Sequence, residues 1–457
     1  RQTYEPLGRR PIHLKNPSTQ PFYTTCLRQQ AITHGEAVPL CALRAHLFHV
    51  KQWRYPMHTK ILISTLLAAL LAAGTASAEG LLHLSWQPDY GAVKYDVTFS
   101  RKEAGKLVPV ERTTAYMSDM LLPETGRFSR PENLYWQERP LDFDGFPIRP
   151  ESRALRLADS VTKISRNAPL PRPDRSGERG GALLYPVYSY IGNPETASYE
   201  IEVLSAYPEN REGTAHSIYH IGGGDFLYTD FYDDTPRFGT WYWRVRGKDG
   251  KGNPVGQWSL PQKRHFSTEG YTIGLYGDSI THGGGRMSYG PNDLEYSYGH
   301  YLDFDTINLG DSGNTSHDMV ERFERDVLPF HLKYLLIMGG SNSLRGGVPA
   351  EEVIEDLKEI QQKCRNHGII PILLTLPPIN PSSIEKVFHE PTAEGWEEAF
   401  RKVNDFIRTQ PHIDTASAFP YENVMPADLA LDGLHGDVEA KKRIAAVINR
   451  HIGEFVK

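Results

Sequence analysis

The chain has 457 residues, more than one ordinary domain requires and enough for two or three. Its hydrophobic fraction of 39% and charged fraction of 23% are globular values, while 33 Pro and 40 Gly imply many turns. Without residues 1–78, which hold nine Lys and Arg against two acids, 41 basic and 54 acidic residues remain. That net charge of about −13 argues against nucleic acid or an anionic membrane as partner.

No Met precedes Met57, where a basic start (His58, Lys60) leads into an apolar run from Ile61 to Ala73 and ends in Ala76-Ser77-Ala78. This is the pattern of a secretory signal peptide over 57–78, with cleavage after Ala78. The run is short for a membrane span, so none is expected in the mature chain. Residues 1–56 are basic and aperiodic, and they read as an upstream or disordered extension. They hold Cys26 and Cys41, which leaves Cys364 alone in the remainder and rules out an intrachain disulfide framework there. The expected location is secreted, periplasmic or cell-surface.

Strand-like alternation follows at 81–86 and 94–100, and again at 184–190 and 198–204. The two sets align at a fixed offset. Ser85-Trp86 and Tyr95 match Ser189-Tyr190 and Tyr199, and Tyr135-Trp136 through Pro147 matches Tyr242-Trp243 through Pro254. A period of 104 to 107 residues is the size of a β-sandwich domain. The spacing predicts two all-β modules, 79–165 and 182–268, joined by a Pro/Arg-rich linker over 166–181. Trp136, Trp241 and Trp243 fall on inward positions and are expected in the core. The LSW, YDV/YEI and YWxxR elements resemble fibronectin type III modules.

From Tyr271 onward strands alternate with helices. Strands are predicted at 271–276, 304–309, 333–338, 369–375 and 412–416, and helices at 315–328, 350–366, 393–409 and 437–452. This predicts an α/β domain over 270–457, a doubly wound parallel sheet of five strands. Such sheets place every strand's carboxyl end on one rim, where ligands bind. After the strands come Gly277-Asp278-Ser279, then Gly310-Asp311-Ser312-Gly313, then Gly339-Gly340-Ser341-Asn342, and before the last helix Asp432-Gly433-Leu434-His435.

These are the parts acyl transfer needs. Ser279 needs a base, and His435 is the candidate because imidazole titrates near neutrality. Asp432, three residues earlier, can hold the other ring nitrogen. The oxyanion needs donors, which the backbone N–H groups of Ser279 and Gly313 and the Asn342 amide can supply. Arg345 and His282 are expected substrate contacts. Asp278 is expected to organise its loop. The triple glycine 283–285 lacks the Lys-Ser/Thr of a phosphate loop.

The blocks GDSITHG, NxGxSG, GGSN and DGLH, in that order, resemble the SGNH (GDSL) hydrolase family. The resemblance implies a flavodoxin-like fold and assigns its four name-giving positions to Ser279, Gly313, Asn342 and His435, with Asp432 completing the triad. It departs at Ser343, where the family often has Asp. It also implies ester hydrolysis through an acyl-enzyme, with no metal or organic cofactor. Two accessory modules on an exported chain point to an acylated glycan substrate and to carbohydrate O-acetyl esterase activity. The alternatives are a lipase, lysophospholipase or thioesterase of the same family, or a non-catalytic surface adhesion protein.

Overall fold

The structure is a computed structural model that describes residues 80–213, 215–225, 230–285, 289–420 and 424–456. The expected extension 1–56 and signal peptide 57–78 lie outside the described residues. Among the described residues no helix is long and apolar enough to cross a membrane.

The first region holds two antiparallel sheets. Leu81–Ser85 lies between Asp119–Pro123 and Val161–Ile164. The other sheet runs Lys106–Ala115, Lys94–Glu103, Leu134–Leu141, Leu155–Arg156. Alternation directs Leu82 and Leu84 of one sheet and Val97, Phe99, Leu134 and Trp136 of the other into a common core.

The second region repeats this plan. Val187–Ile191 lies between Asp230–Tyr232 and Leu170–Pro171. Its other sheet runs Ser217–Asp225, Ser198–Leu204, Gly239–Lys248, Pro254–Val255, and Gln262–Phe266 also pairs with Gly239–Lys248. Trp241 and Trp243 are both buried here, the Trp241 Nε1 donating to Tyr188 Oη at 3.2 Å. The run 166–181 differs from a linker. It supplies strand Leu170–Pro171, and Arg172 and Arg175 pair with Asp293 at 2.7 Å and Glu295 at 3.0 Å in the C-terminal domain.

In that domain, strands β1 (Ile273–Gly277), β2 (Ile307–Gly310), β3 (Tyr334–Met338), β4 (Ile370–Leu374) and β5 (His412–Ile413) form one parallel sheet in the order β2-β1-β3-β4-β5. This is the flavodoxin-type order. The helices are α1 (Ser279–His282), α2 (Ser316–Val327), α3 (Ser341–Arg345), α4 (Ala350–Asn366), α5 (Pro381–Phe388), α6 (Trp396–Arg408) and α7 (Val438–His451). Helical spacing buries Val353, Leu357, Ile360 and Cys364 on one face of α4. Thr315 and Asp318 close a reciprocal capping box on α2, and Asp437 caps α7. Helices α1 and α3, of four and five residues, are too short to show a period in the sequence.

The core of the second region is continuous with that of the α/β domain. Leu183 bridges in parallel to Asn308 of β2, with Leu184 N donating to Asn308 O at 2.9 Å and Asn308 N to Ala182 O at 3.0 Å. The chain just before Val187 thus lies along the β2 edge of the sheet.

Candidate active site

Strand β1 ends at Gly277 on the carboxyl rim. Asp278 then caps α1, its side chain accepting from Ile280 N at 2.9 Å. That cap makes Ser279 the first residue of the helix and turns its hydroxyl toward His435. Ser279 Oγ lies 2.8 Å from His435 Nε2, and His435 Nδ1 lies 2.8 Å from Asp432 Oδ2. The other carboxylate oxygen of Asp432 accepts from Leu434 N at 3.0 Å and His435 N at 2.7 Å. Burial alone opposes charge on the fully buried Asp432. The charge and hydrogen bonds of His435 outweigh it and hold the carboxyl below its usual range. An ionised Asp432 accepts from Nδ1–H, which leaves Nε2 to accept the Ser279 proton.

The β2 loop and α3 supply the third side. Gly313 has φ of +88°, a conformation that suits glycine and sits at the turn after Ser312. Asn342 Nδ2 donates to Asn314 O at 3.0 Å, which fixes the amide beside that loop. One amide hydrogen is engaged there and the second is available to an oxyanion. Asn342→Ala is expected to lower kcat on a small ester about a hundredfold or more with little change in KM. Steady-state kinetics on p-nitrophenyl acetate checks this.

At the departure from the family pattern, Ser343 is buried and its hydroxyl accepts from Ser316 N at 2.9 Å. Ser316 Oγ in turn donates to Asp356 Oδ2 at 2.6 Å. The Asn342 helix is therefore tied to the start of α2 by hydroxyls, with the carboxylate coming from α4.

His282 does not face substrate. It is 1% exposed, with Nδ1 2.9 Å from Ser312 Oγ and Nε2 2.9 Å from Tyr185 O. Arg345 is partly buried, 3.5 Å from Glu390 and over the Phe388 ring. Two buried charges, Arg322 and Lys441, went unnoticed in the sequence. Arg322 donates to Gly277 O at 2.8 Å, Leu309 O at 2.9 Å and Asn314 Oδ1 at 2.5 Å, and so pins the ends of β1 and β2 and the loop that holds Gly313. Lys441 of α7 is fully buried and donates to Ile280 O at 3.3 Å. Burial brings its ammonium down to about 8, against the pull of Asp432, Asp278 and Asp437. Burial likewise pushes Asp278 up to about 6. A 3.6-residue period was the only signal for Arg322 and Lys441, since each sits among core positions of its helix.

Residues 275–442, within the C-terminal domain, match the model of the GDSL-like lipase/acylhydrolase family. An uncharacterized lipoprotein, YqeF of Bacillus subtilis (strain 168), is 41% identical over 81 residues, 16% of this chain. The chain covers 33% of that relative's length. Among solved structures, a lipase/acylhydrolase from Enterococcus faecalis is 22% identical, covering 41% of this chain and 98% of its own, with a TM-score of 0.33. A catalytic mutant of an acetylxylan esterase from Geobacillus stearothermophilus is 23% identical, covering 40% of this chain and 95% of its own, with a TM-score of 0.31.

Proposed function

We propose that the chain is an exported serine esterase that removes O-acetyl groups from a carbohydrate. The observation that carries the esterase reading is the Ser279–His435–Asp432 relay, two contacts of 2.8 Å in sequence. Ser279 Oγ attacks the ester carbonyl carbon and its proton passes to His435 Nε2. The oxyanion is met by the N–H groups of Ser279 and Gly313 and by Asn342. Collapse expels the alcohol, which takes the proton from His435. Water, activated by the same ring, then hydrolyses the acyl-enzyme and releases the acid.

The carbohydrate reading rests on the two β-rich regions, which we read as fibronectin type III-like modules. Each pairs a three-stranded sheet with a larger sheet of matching strand order. Export rests on the 57–78 pattern, and the partial lipoprotein relative agrees with a surface location.

A panel of p-nitrophenyl esters from acetate to palmitate, with acetate release from an acetylated polysaccharide, tests the proposal. Preference for acetate together with polymer deacetylation is expected. Preference for long chains would replace the glycan reading with a lipase, and surface binding without turnover would replace it with an adhesion protein.

A further inference from the structure

The catalytic residues all lie in the α/β domain, yet the helix that carries the nucleophile is not held by that domain alone. His282, its last residue, is 1% exposed and sits three positions after Ser279. Its Nε2 faces the carbonyl oxygen of Tyr185 at 2.9 Å. A carbonyl only accepts, so Nε2 carries the hydrogen, and Nδ1 of the neutral ring accepts from Ser312 Oγ at 2.9 Å. Ser312 immediately precedes Gly313. One imidazole therefore joins the nucleophile helix, the oxyanion loop and the chain that leads into the second β-rich region.

A second connection runs in parallel. The backbone of Asn308 pairs with Ala182 and Leu184, while its side-chain amide donates to Thr281 O at 2.9 Å and His282 O at 3.2 Å. The same segment thus reaches α1 through a side chain of β2. Tyr232, on the strand Asp230–Tyr232, adds an edge-to-face ring contact to His282 at 5.9 Å. Space here is tight, since a Cβ at Gly310 would lie 2.3 Å from His282 N.

We propose that His282 is a positioning residue that sets Ser279 against the Gly313 loop, and that residues 182–185 and the second β-rich region are part of the device. The inference rests on the reading of Ser279 and Gly313 given above. The two halves of the ring's function can be separated. Asn at 282 keeps an acceptor where Nδ1 stands but falls short of Tyr185 O. Gln keeps a donor where Nε2 stands but loses the acceptor for Ser312.

The test is kinetics of the full chain on p-nitrophenyl acetate. His282→Asn and His282→Gln are each expected to lower kcat on the order of tenfold to a hundredfold, with KM within about twofold, because small misplacements of reacting groups carry penalties of that size. Ser312→Ala is expected to match His282→Gln, and the double variant to be no worse than either single one, since both remove the same bond. Parental kcat in the His282 variants, or a raised KM at parental kcat, overturns the inference. Should the His282 variants fail to fold by circular dichroism, Ser312→Ala decides alone, and parental kcat there overturns it. Turnover that persists in Ser279→Ala would remove the site reading as well and so identify which of the two failed.

Discussion

Ser279→Ala is expected to lower kcat on p-nitrophenyl acetate by at least about ten-thousandfold while the chain keeps its melting temperature within a few degrees. The size follows from the proposed role. Without Oγ there is no nucleophile for the carbonyl, and what remains is water attack helped by the oxyanion donors. The small effect on folding follows from position, since the hydroxyl's contact is with His435 Nε2 at 2.8 Å at the surface end of the relay. Rapid-quench detection of a labelled acyl-enzyme, present in the parent and absent in the variant, checks the chemical step directly. Burst kinetics in Ser279→Ala would remove the assignment.

Asp432→Asn is expected to cost a comparable factor, about ten-thousandfold in kcat, by a different route. The backbone N–H groups of Leu434 and His435 point at Oδ1, so an amide at 432 must keep its oxygen there. Its NH2 then faces His435 Nδ1 and forces the ring to carry its hydrogen on Nε2. A ring in that tautomer cannot accept the proton from Ser279. Substrate binding is untouched, so KM should hold, and the nitrogen shifts of His435 by NMR should report the reversed tautomer. The same geometry sets a pH dependence. The Asp432 carboxyl is held below its ordinary value in the folded chain, so its stabilising effect is complete above the unfolded carboxylate range. It is lost as pH falls through the folded value, and Asp432→Asn should flatten that part of an acid-denaturation curve.

Much of the C-terminal domain could be read in the sequence because its signals are local. Apolar runs mark β1, β3 and β4 to within a few residues, and the capping pair Thr315/Asp318 marks the start of α2. The relay residues Asp432 and His435 are three apart on one turn, so their pairing needs no long-range knowledge. What could not be read depends on distant partners. Arg172 and Arg175 sit in a Pro-rich, polar run that composition marks as a spacer, but their acids lie 121 and 120 residues away. His282 stands three residues after Ser279 and invites a substrate role, whereas a carbonyl 97 residues earlier claims its ring. Arg322 looks like a charge on an amphipathic helix. Only the fold shows it turned inward onto carbonyls at the ends of β1 and β2.

The bridge between Leu183 and Asn308 also bears on what the edge of the sheet exposes. Strand β2 is one of the two outer strands of the five-stranded sheet, and an uncovered outer strand offers its backbone groups to any other chain. Residues 182–184 occupy that position. A shortened chain beginning at residue 270 would leave the strand bare and is expected to self-associate more readily than the full chain, so its solubility depends on what precedes the α/β domain.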